Sequence, residues 1–432
     1  MHLHGQNSIR RRSRALRPDW DRLDNRCLLS GLSPAAVTSA YGLNAITFTS
    51  PNGSTVKGDG TGETIALIEA FHDPTIASDL NTFDQAYGLP NPTLTVDDLA
   101  GNQSNDGWAL EESLDVEWAH AIAPGANIVV VEASSQTLKG LITAVNVARN
   151  TPGVVAISMS WGFNEFRQET AYNSTFTTPA GHTPITFLAS SGDSGSQGGA
   201  EWPASAPSVI AVGGTSLAVA SSGQYEFESA WVGSSGGYSK FEAEPAYQRS
   251  VQSTGKRSSP DVSFDGDPDT GVGVYETSLE TGQGSWQVVG GTSVGSPAWA
   301  GIIAIADQGR AVTGQGSLNG ATQTLPTLYA LPSSDFHQVA SFSRRGSLLA
   351  DATANTATGL GTPVGTPLIS GLVTTELNAP LMASASVKRA TAKVSRAKAR
   401  RKIALAIPER ASLLKLPAST KRKASPDLSD WD

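Results

Sequence analysis

Short apolar runs alternate with amphipathic stretches through most of the chain. Thr64 to Glu69, Asn127 to Val131, Val154 to Met159, Ile185 to Ala189 and Val209 to Val212 are near-continuous runs of Val, Ile, Leu and Ala. That length and composition suit strands buried on both faces. Between them the apolar positions fall at helical spacing: Ile76, Leu80, Phe83 and Tyr87 after Pro74, then Leu110, Leu114 and Trp118 within Trp108 to Ile122, then Leu138 to Ala148. Ser33 and Pro34 predict a capped helix running to Tyr41. The alternation predicts an α/β fold with a mainly parallel central sheet and helices on both faces. The segment between Tyr87 and Trp108 reads as turns, and Gly213 to Gln283 as short strands and glycine-rich loops. A strand over Trp286 to Val289 then runs into Gly290-Gly291-Thr292-Ser293, followed by a small-residue helix over Pro297 to Ala306. Leu360 to Leu372 closes the compact part, and no internal repeat is present.

Charge divides the chain more sharply than its total suggests. The net charge is -8 over 432 residues. Residues 31–380 carry 11 basic and 32 acidic side chains, a net of −21. Residues 1–31 read as a basic leader and 377–432 as a basic Ala/Lys/Arg-rich tail, both expected to be disordered, although Ala and Lys also suit a surface helix in the tail. The domain between them, 32–376, is too acidic to suit nucleic acid. It suits work at low pH, where carboxylates are neutral and self-repulsion falls. No apolar run reaches membrane-spanning length. Cys27 is the single cysteine, so no disulfide forms within the chain. The arginines at 10, 11, 12 and 14 lack the apolar stretch that would make a secretory signal.

Three stretches carry candidate chemistry. Paired glycines let the backbone turn sharply and approach a ligand closely. Ser293 at a helix start would see free N–H groups that favour developing negative charge, a good seat for a nucleophile. The alternative is a helix cap. Glu111 and Asp115 are four apart and share a helix face, where like charges repel unless solvated or sharing a proton. An exposed acidic face is the alternative there. Asp193, in Ser191-Gly192-Asp193-Ser194-Gly195 after a buried strand, is either a turn residue or a carboxyl near a reacting carbonyl. None of the six histidines stands in a His-Gly-Thr setting, and His120 lies five residues past Asp115. A carboxylate is therefore the better candidate for the base.

Together these motifs resemble the sedolisin family, the serine-carboxyl peptidases with a subtilisin-like fold. Ser158-Met159-Ser160-Trp161-Gly162, Trp202-Pro203-Ala204-Ser205 and Pro260-Asp261-Val262-Ser263 support the match in order and spacing. The resemblance implies Ser293 as nucleophile, Glu111 as general base and acid, Asp115 as its partner and Asp193 as oxyanion donor. It implies that Glu69 and Trp161 extend the hydrogen-bond network, and that Ser160 and Gly162 flank the substrate backbone. A carboxylate base titrates near 4 in water, against about 6.5 for histidine. Glu111 must be ionised while Asp193 is protonated, which predicts a bell-shaped profile with an acid optimum. Polypeptide substrates, a monomer, and a secreted or cell-surface location are the corresponding expectations.

Three features depart from the family pattern. The family is made with a large N-terminal pro-domain, and the residues before Leu32 are too few to form one. A catalytically inactive sedolisin-like binding or surface protein is thus the alternative expectation. Gly295 replaces a small Ser or Ala, with a modest effect expected. The family's Ca2+ site matches Gln338, Val339, Asp351, Thr353 and Asn355, with neutral amides at 338 and 355 where carboxylates are usual. Loss of two charges should weaken a hard-cation site greatly, so no tight calcium is expected.

Overall fold

Pro34–Ala40 forms α1, with Ser33 as its cap and its hydroxyl accepting from the Ala36 N–H. The elements that build the site follow. Thr64–Ala70 is β1, Ile76–Tyr87 is α2, Leu94–Asp98 is β2, Asp106–Ile122 is α3 and Asn127–Ala133 is β3. Leu138–Ala148 is α4, Val154–Met159 is β4, Thr186–Ser190 is β5, Val209–Val219 is β6, Tyr225–Ala230 is β7 and Val262–Asp265 is β8. Val272–Thr277 (β9) and Gly284–Val289 (β10) make a hairpin, Gly295–Val312 is α5 and Gly365–Thr374 is α6. This computed structural model describes residues 31–339, 341–342, 348–349 and 356–374. The sequence-predicted basic leader before residue 31 and the basic tail lie outside them.

The eight-stranded sheet runs β7-β6-β5-β4-β1-β3-β2, with β8 on the other side of β6. Every pairing is parallel except β6 with β7. The mainly parallel sheet of the sequence reading is therefore present. One difference is β2, which the sequence presents as turns. It is an edge strand with partly exposed, alternating positions, so no buried apolar run marks it. The expected strand ending in Val289 lies in the two-stranded hairpin, with Trp286 and Val288 partly exposed.

Both sheet faces are covered, as parallel strands require. Ala66, Ile68, Val129 and Val131 pack on the side of α4, in a core shared with Leu141 and Val145. Ile65, Leu67, Ile128 and Val130 pack on the opposite side with α3 and α5. Side chains alternate along a strand, so Glu69 and Glu132 continue this second row. They stand directly opposite one another, and Asp98 stands opposite Glu132 on the next strand. Three carboxylates thus line up across the C-terminal ends of β1, β3 and β2, on the face that α3 covers.

Helix α3 is enclosed on nearly every side, from Glu112 through Ile122. Its close crossing with α5 depends on Gly301. A Cβ there would lie 2.9 Å from Ile122 Cβ and 3.2 Å from the Ala119 carbonyl oxygen. Gly301→Ala is expected to destabilise the fold by about 1–3 kcal/mol through overpacking, read as a lower melting temperature. An unchanged melting temperature would show that the helices separate freely.

A second buried carboxylate joins distant parts of the chain. Glu228 on β7 accepts hydrogen bonds from the hydroxyls of Tyr41, just past α1, of Thr215 on β6 and of Thr362, just before α6. Burial nevertheless outweighs these three donors and pushes its carboxyl up to about 7.

Candidate active site

The glycine turn delivers Ser293 to the mouth of α5. The Val294 N–H donates to the Gly291 carbonyl and the Gly295 N–H to the Thr292 carbonyl, closing a tight turn before the helix. The helix starts at Gly295, two residues earlier than its apolar pattern indicates, and no side chain caps it. Ser293 therefore does not serve as the helix cap. Its hydroxyl instead lies near the carboxyl of Glu111 on α3, close enough to favour that carboxyl's ionised form. The two glycines are needed for close approach, but to protein groups. A Cβ on Gly290 would meet the Pro268 backbone nitrogen at 2.5 Å, and one on Gly291, at φ +109, would meet Asp193 Oδ2 at 2.8 Å. Gly295 likewise has no room for a side chain, since a Cβ would lie 2.6 Å from Val212 Cγ1. Its role is tight packing of the helix start, not flexibility.

Behind Glu111 stands a chain of carboxyls. Burial pushes Glu111 up to about 7, with the Asp193 charge adding to the rise and the Ser293 hydrogen bond opposing it. One oxygen, Oε1, is buried without a partner and remains free to accept. Asp115, one turn further along α3, is fully buried and accepts from Ser160 Oγ at 2.8 Å on both oxygens. Burial raises it well above the usual range, and the Glu111 charge adds to that. Glu69 faces Asp115 from the end of β1. Neither Glu69 oxygen receives a hydrogen bond from an ordinary donor. The contact with Asp115 is a hydrogen bond only when one of the two carboxyls holds a proton. Burial first, then the charges of Asp115, Glu111 and Glu112, drives Glu69 far upward. The arrangement stores protons and keeps them close to Ser293.

Asp193 reaches the same turn from the loop after β5. It is exposed, and its Oδ1 accepts from both the N–H and the hydroxyl of Thr292 at 2.8 Å. The Thr292 hydroxyl also accepts from the Gly192 N–H at 3.1 Å. One threonine thus fixes the Asp193 loop to the turn bearing Ser293, leaving Oδ2 on the Gly291 side. The sequence offers no sign of this role beyond the position of Thr292 beside Ser293.

Ser293, Glu111, Asp115, Asp193 and Glu69 are therefore brought together at the C-terminal ends of parallel strands, where open α/β sheets bind ligands. Ser160 is engaged inside the cluster, donating to Asp115 and lying 3.4 Å from the Ser293 carbonyl oxygen. The Trp161 indole donates to the Ile68 carbonyl at 3.1 Å, so it braces the strand just before Glu69. Gly162 lies exposed at the rim. Glu201, which the sequence reading passed over beside Trp202, is pressed against that rim. A Cβ on Gly162 would lie 2.9 Å from Glu201 Oε2, and one on Gly192 2.3 Å from its carboxyl carbon. Among the residues matched to a calcium site, Asp351, Thr353 and Asn355 lie outside the described residues. The Gln338 amide donates to the Ser333 carbonyl at 3.0 Å and the Val339 side chain is buried. Neither of these supplies a carboxylate that would fit Ca2+.

Comparison with known proteins gives consistent matches. The profile of the Subtilase family matches residues 98–323, just over half of the chain. Kumamolisin of Bacillus sp. (strain MN-32) is 33% identical over 357 residues, covering 73% of this chain and 61% of its own length. Sedolisin of Pseudomonas sp. (strain 101) is 30% identical over 302 residues, covering 58% of this chain and 50% of its own length. The chain therefore spans between half and two thirds of these relatives. Among solved structures, Pseudomonas sedolisin, a serine-carboxyl proteinase complexed with two molecules of pseudo-iodotyrostatin, aligns with a TM-score of 0.65 at 26% identity. That alignment covers 79% of this chain and 98% of the other.

Proposed function

The chain belongs to the subtilase family, in its sedolisin branch, and from that premise we propose that it is an acid-acting serine-carboxyl peptidase. The observation that carries the proposal is the grouping of Ser293 with the Glu111, Asp115 and Glu69 carboxyls, tied together through Ser160, which donates to both Asp115 and the Ser293 carbonyl. Among the described residues, no histidine side chain is recorded in contact with Ser293. His72 pairs with Glu132, His120 with Asp84 and the Pro90 carbonyl, and His337 stacks on Tyr225.

In this reading Ser293 Oγ bonds to the scissile carbonyl carbon as its proton passes to the Glu111 carboxylate. The carbonyl oxygen becomes an oxyanion and accepts a hydrogen bond from protonated Asp193, a contact worth about 3–4 kcal/mol of barrier. Glu111 then returns the proton to the leaving amine as the C–N bond breaks. Water repeats the sequence on the acyl-enzyme. Asp115 and Glu69 hold Glu111 in place and share its charge. Substrates are polypeptides, and Glu201 at the rim favours a cationic substrate side chain. Export is part of the same reading, since the chemistry calls for an acidic medium.

Two opposing protonation states set the pH profile. Below about 7 the ionised fraction of Glu111 falls tenfold per unit. Above that point the base is ionised and a further rise in pH brings no gain in base. The expected result for kcat/KM is a bell lying on the acid side of 7. Asp193→Asn keeps the acceptor for Thr292 and supplies an N–H donor at every pH, so it is expected to flatten the alkaline fall. Digestion of a denatured protein across pH 3 to 8, with fragment masses, measures the profile and the cleavage preference and separates endopeptidase from tripeptidyl release. Full activity at pH 8 with almost none at pH 4 rules the role division out. Absence of cleavage throughout leaves the non-catalytic reading in its place.

A further inference from the structure

We propose that His72, Asp98 and Glu132 form a binding site for a borderline divalent cation such as Zn2+, at the β3 and β2 end of the carboxylate row that begins with Glu69. Their ligand atoms lie within 4.8 Å of one another. Glu132 and Asp98 are register partners on β3 and β2, and side chains opposite one another on parallel strands share a face. His72 follows β1 and turns its Nδ1 onto Glu132, 2.8 Å from Oε2 and 3.0 Å from Oε1. It is delivered by Phe71, which has a φ of 70, an unusual conformation for a bulky residue. Asp98 is exposed, and one of its oxygens is held by the N–H groups of Ala100 and Gly101. Imidazole with two carboxylates suits Zn2+ better than Ca2+ or Mg2+.

A plain ion pair between His72 and Glu132 leaves too much unanswered. Glu112 on α3 is 1% exposed, its Oε1 has no partner, and it lies within electrostatic reach of Glu132, Asp73 and Asp98. Asp73 adds another buried oxygen without a partner, Oδ2, while its Oδ1 is taken by Thr75. Four carboxylates therefore converge with one imidazole. Among the described residues, no lysine or arginine pairs with any of them. A dication supplies the missing positive charge. With bonds of about 2.1 Å, tetrahedral ligand atoms sit about 3.4 Å apart. Nδ1 and the Glu132 oxygen need only part slightly, with the imidazole neutral, to admit the ion.

The test uses the full chain carrying Ser293→Ala to prevent self-digestion, stripped with a chelator and titrated with ZnCl2 at pH 7 by calorimetry. One equivalent is expected, together with a higher melting temperature. His72→Ala and Asp98→Asn are each expected to weaken binding about 100-fold or more, because even residues that only orient ligands cost 10–100-fold. His182→Ala, away from the cluster, is expected to retain the tight equivalent. Both His72 and Asp98 reach solvent, so their variants should keep the parent far-UV circular dichroism. Binding no tighter than millimolar overturns the inference, as does tight binding that survives both substitutions. X-ray absorption of the zinc-loaded chain should show imidazole and carboxylate donors, and an all-water shell overturns it as well.

Discussion

Ser293→Ala is expected to lower kcat/KM for a denatured protein substrate at acid pH by about ten thousandfold or more. The substitution deletes the attacking oxygen and leaves the rest of the site standing, since Thr292 and Asp193 keep their hydrogen bonds to one another. Glu111→Gln should produce a loss of similar size. Glutamine fills the same space and still meets the serine hydroxyl, but it has no capacity to take the proton. Residues that act as one unit are not additive, so the double variant is expected to be hardly worse than either single one. Additive losses would mean that the two side chains serve separate steps. A single variant with near-parental hydrolysis and unchanged circular dichroism would remove that residue from the mechanism.

The melting temperature is expected to fall as pH rises from about 4.5 to 8, by on the order of 10 °C. Burial raises the carboxyls of Glu69, Glu112, Asp115, Glu117, Asp265 and Asp307 well above their ordinary range. Glu111, Glu169 and Glu228 are pushed up to about 7. The sign follows from linkage. Between the unfolded value near 4 and the folded value near 7, the native chain binds more protons than the unfolded chain, so stability declines with rising pH. The contribution is complete below about 4 and is lost through about 7. Glu228, wholly buried, accounts for about 3 kcal/mol of this range by itself. Self-repulsion within the acidic domain acts in the same direction. Thermal melts of the Ser293→Ala chain measure the slope, and Glu228→Gln, a mimic of the protonated acid, should make it shallower. A melting temperature that is level or climbs toward pH 8 contradicts the reading.

Local pattern carried the sheet and helices further than it carried the chemistry. Val154 to Met159 and Leu138 to Ala148 begin and end where their apolar runs do, because both faces of that strand and one face of that helix meet the core. β2 escaped notice because an edge strand needs no continuous burial. Glu111 and Asp115 were legible as a pair from their four-residue spacing. Glu112 was not, since the carboxylates it faces, Glu132, Asp98 and Asp73, come from residues 20 positions later and 14 and 39 positions earlier in sequence. The single apolar stripe expected for α3 gave way to burial around the whole helix, because strands, hairpin and α5 enclose it. Thr292 and Glu201 were invisible for the same reason. Each matters through a loop that only the folded chain brings alongside.

The carboxyl of Glu228 also sets how the molecule opens. It holds the hydroxyls of Tyr41 and Thr362, while the Gly365 N–H donates to the Tyr41 carbonyl at 2.7 Å. Helices α1 and α6 are thus fastened together through these bonds and should come loose as a single cooperative unit. In native-state hydrogen exchange the amides of α1 and α6 would share one opening free energy, and Glu228→Ala would lower it for both together.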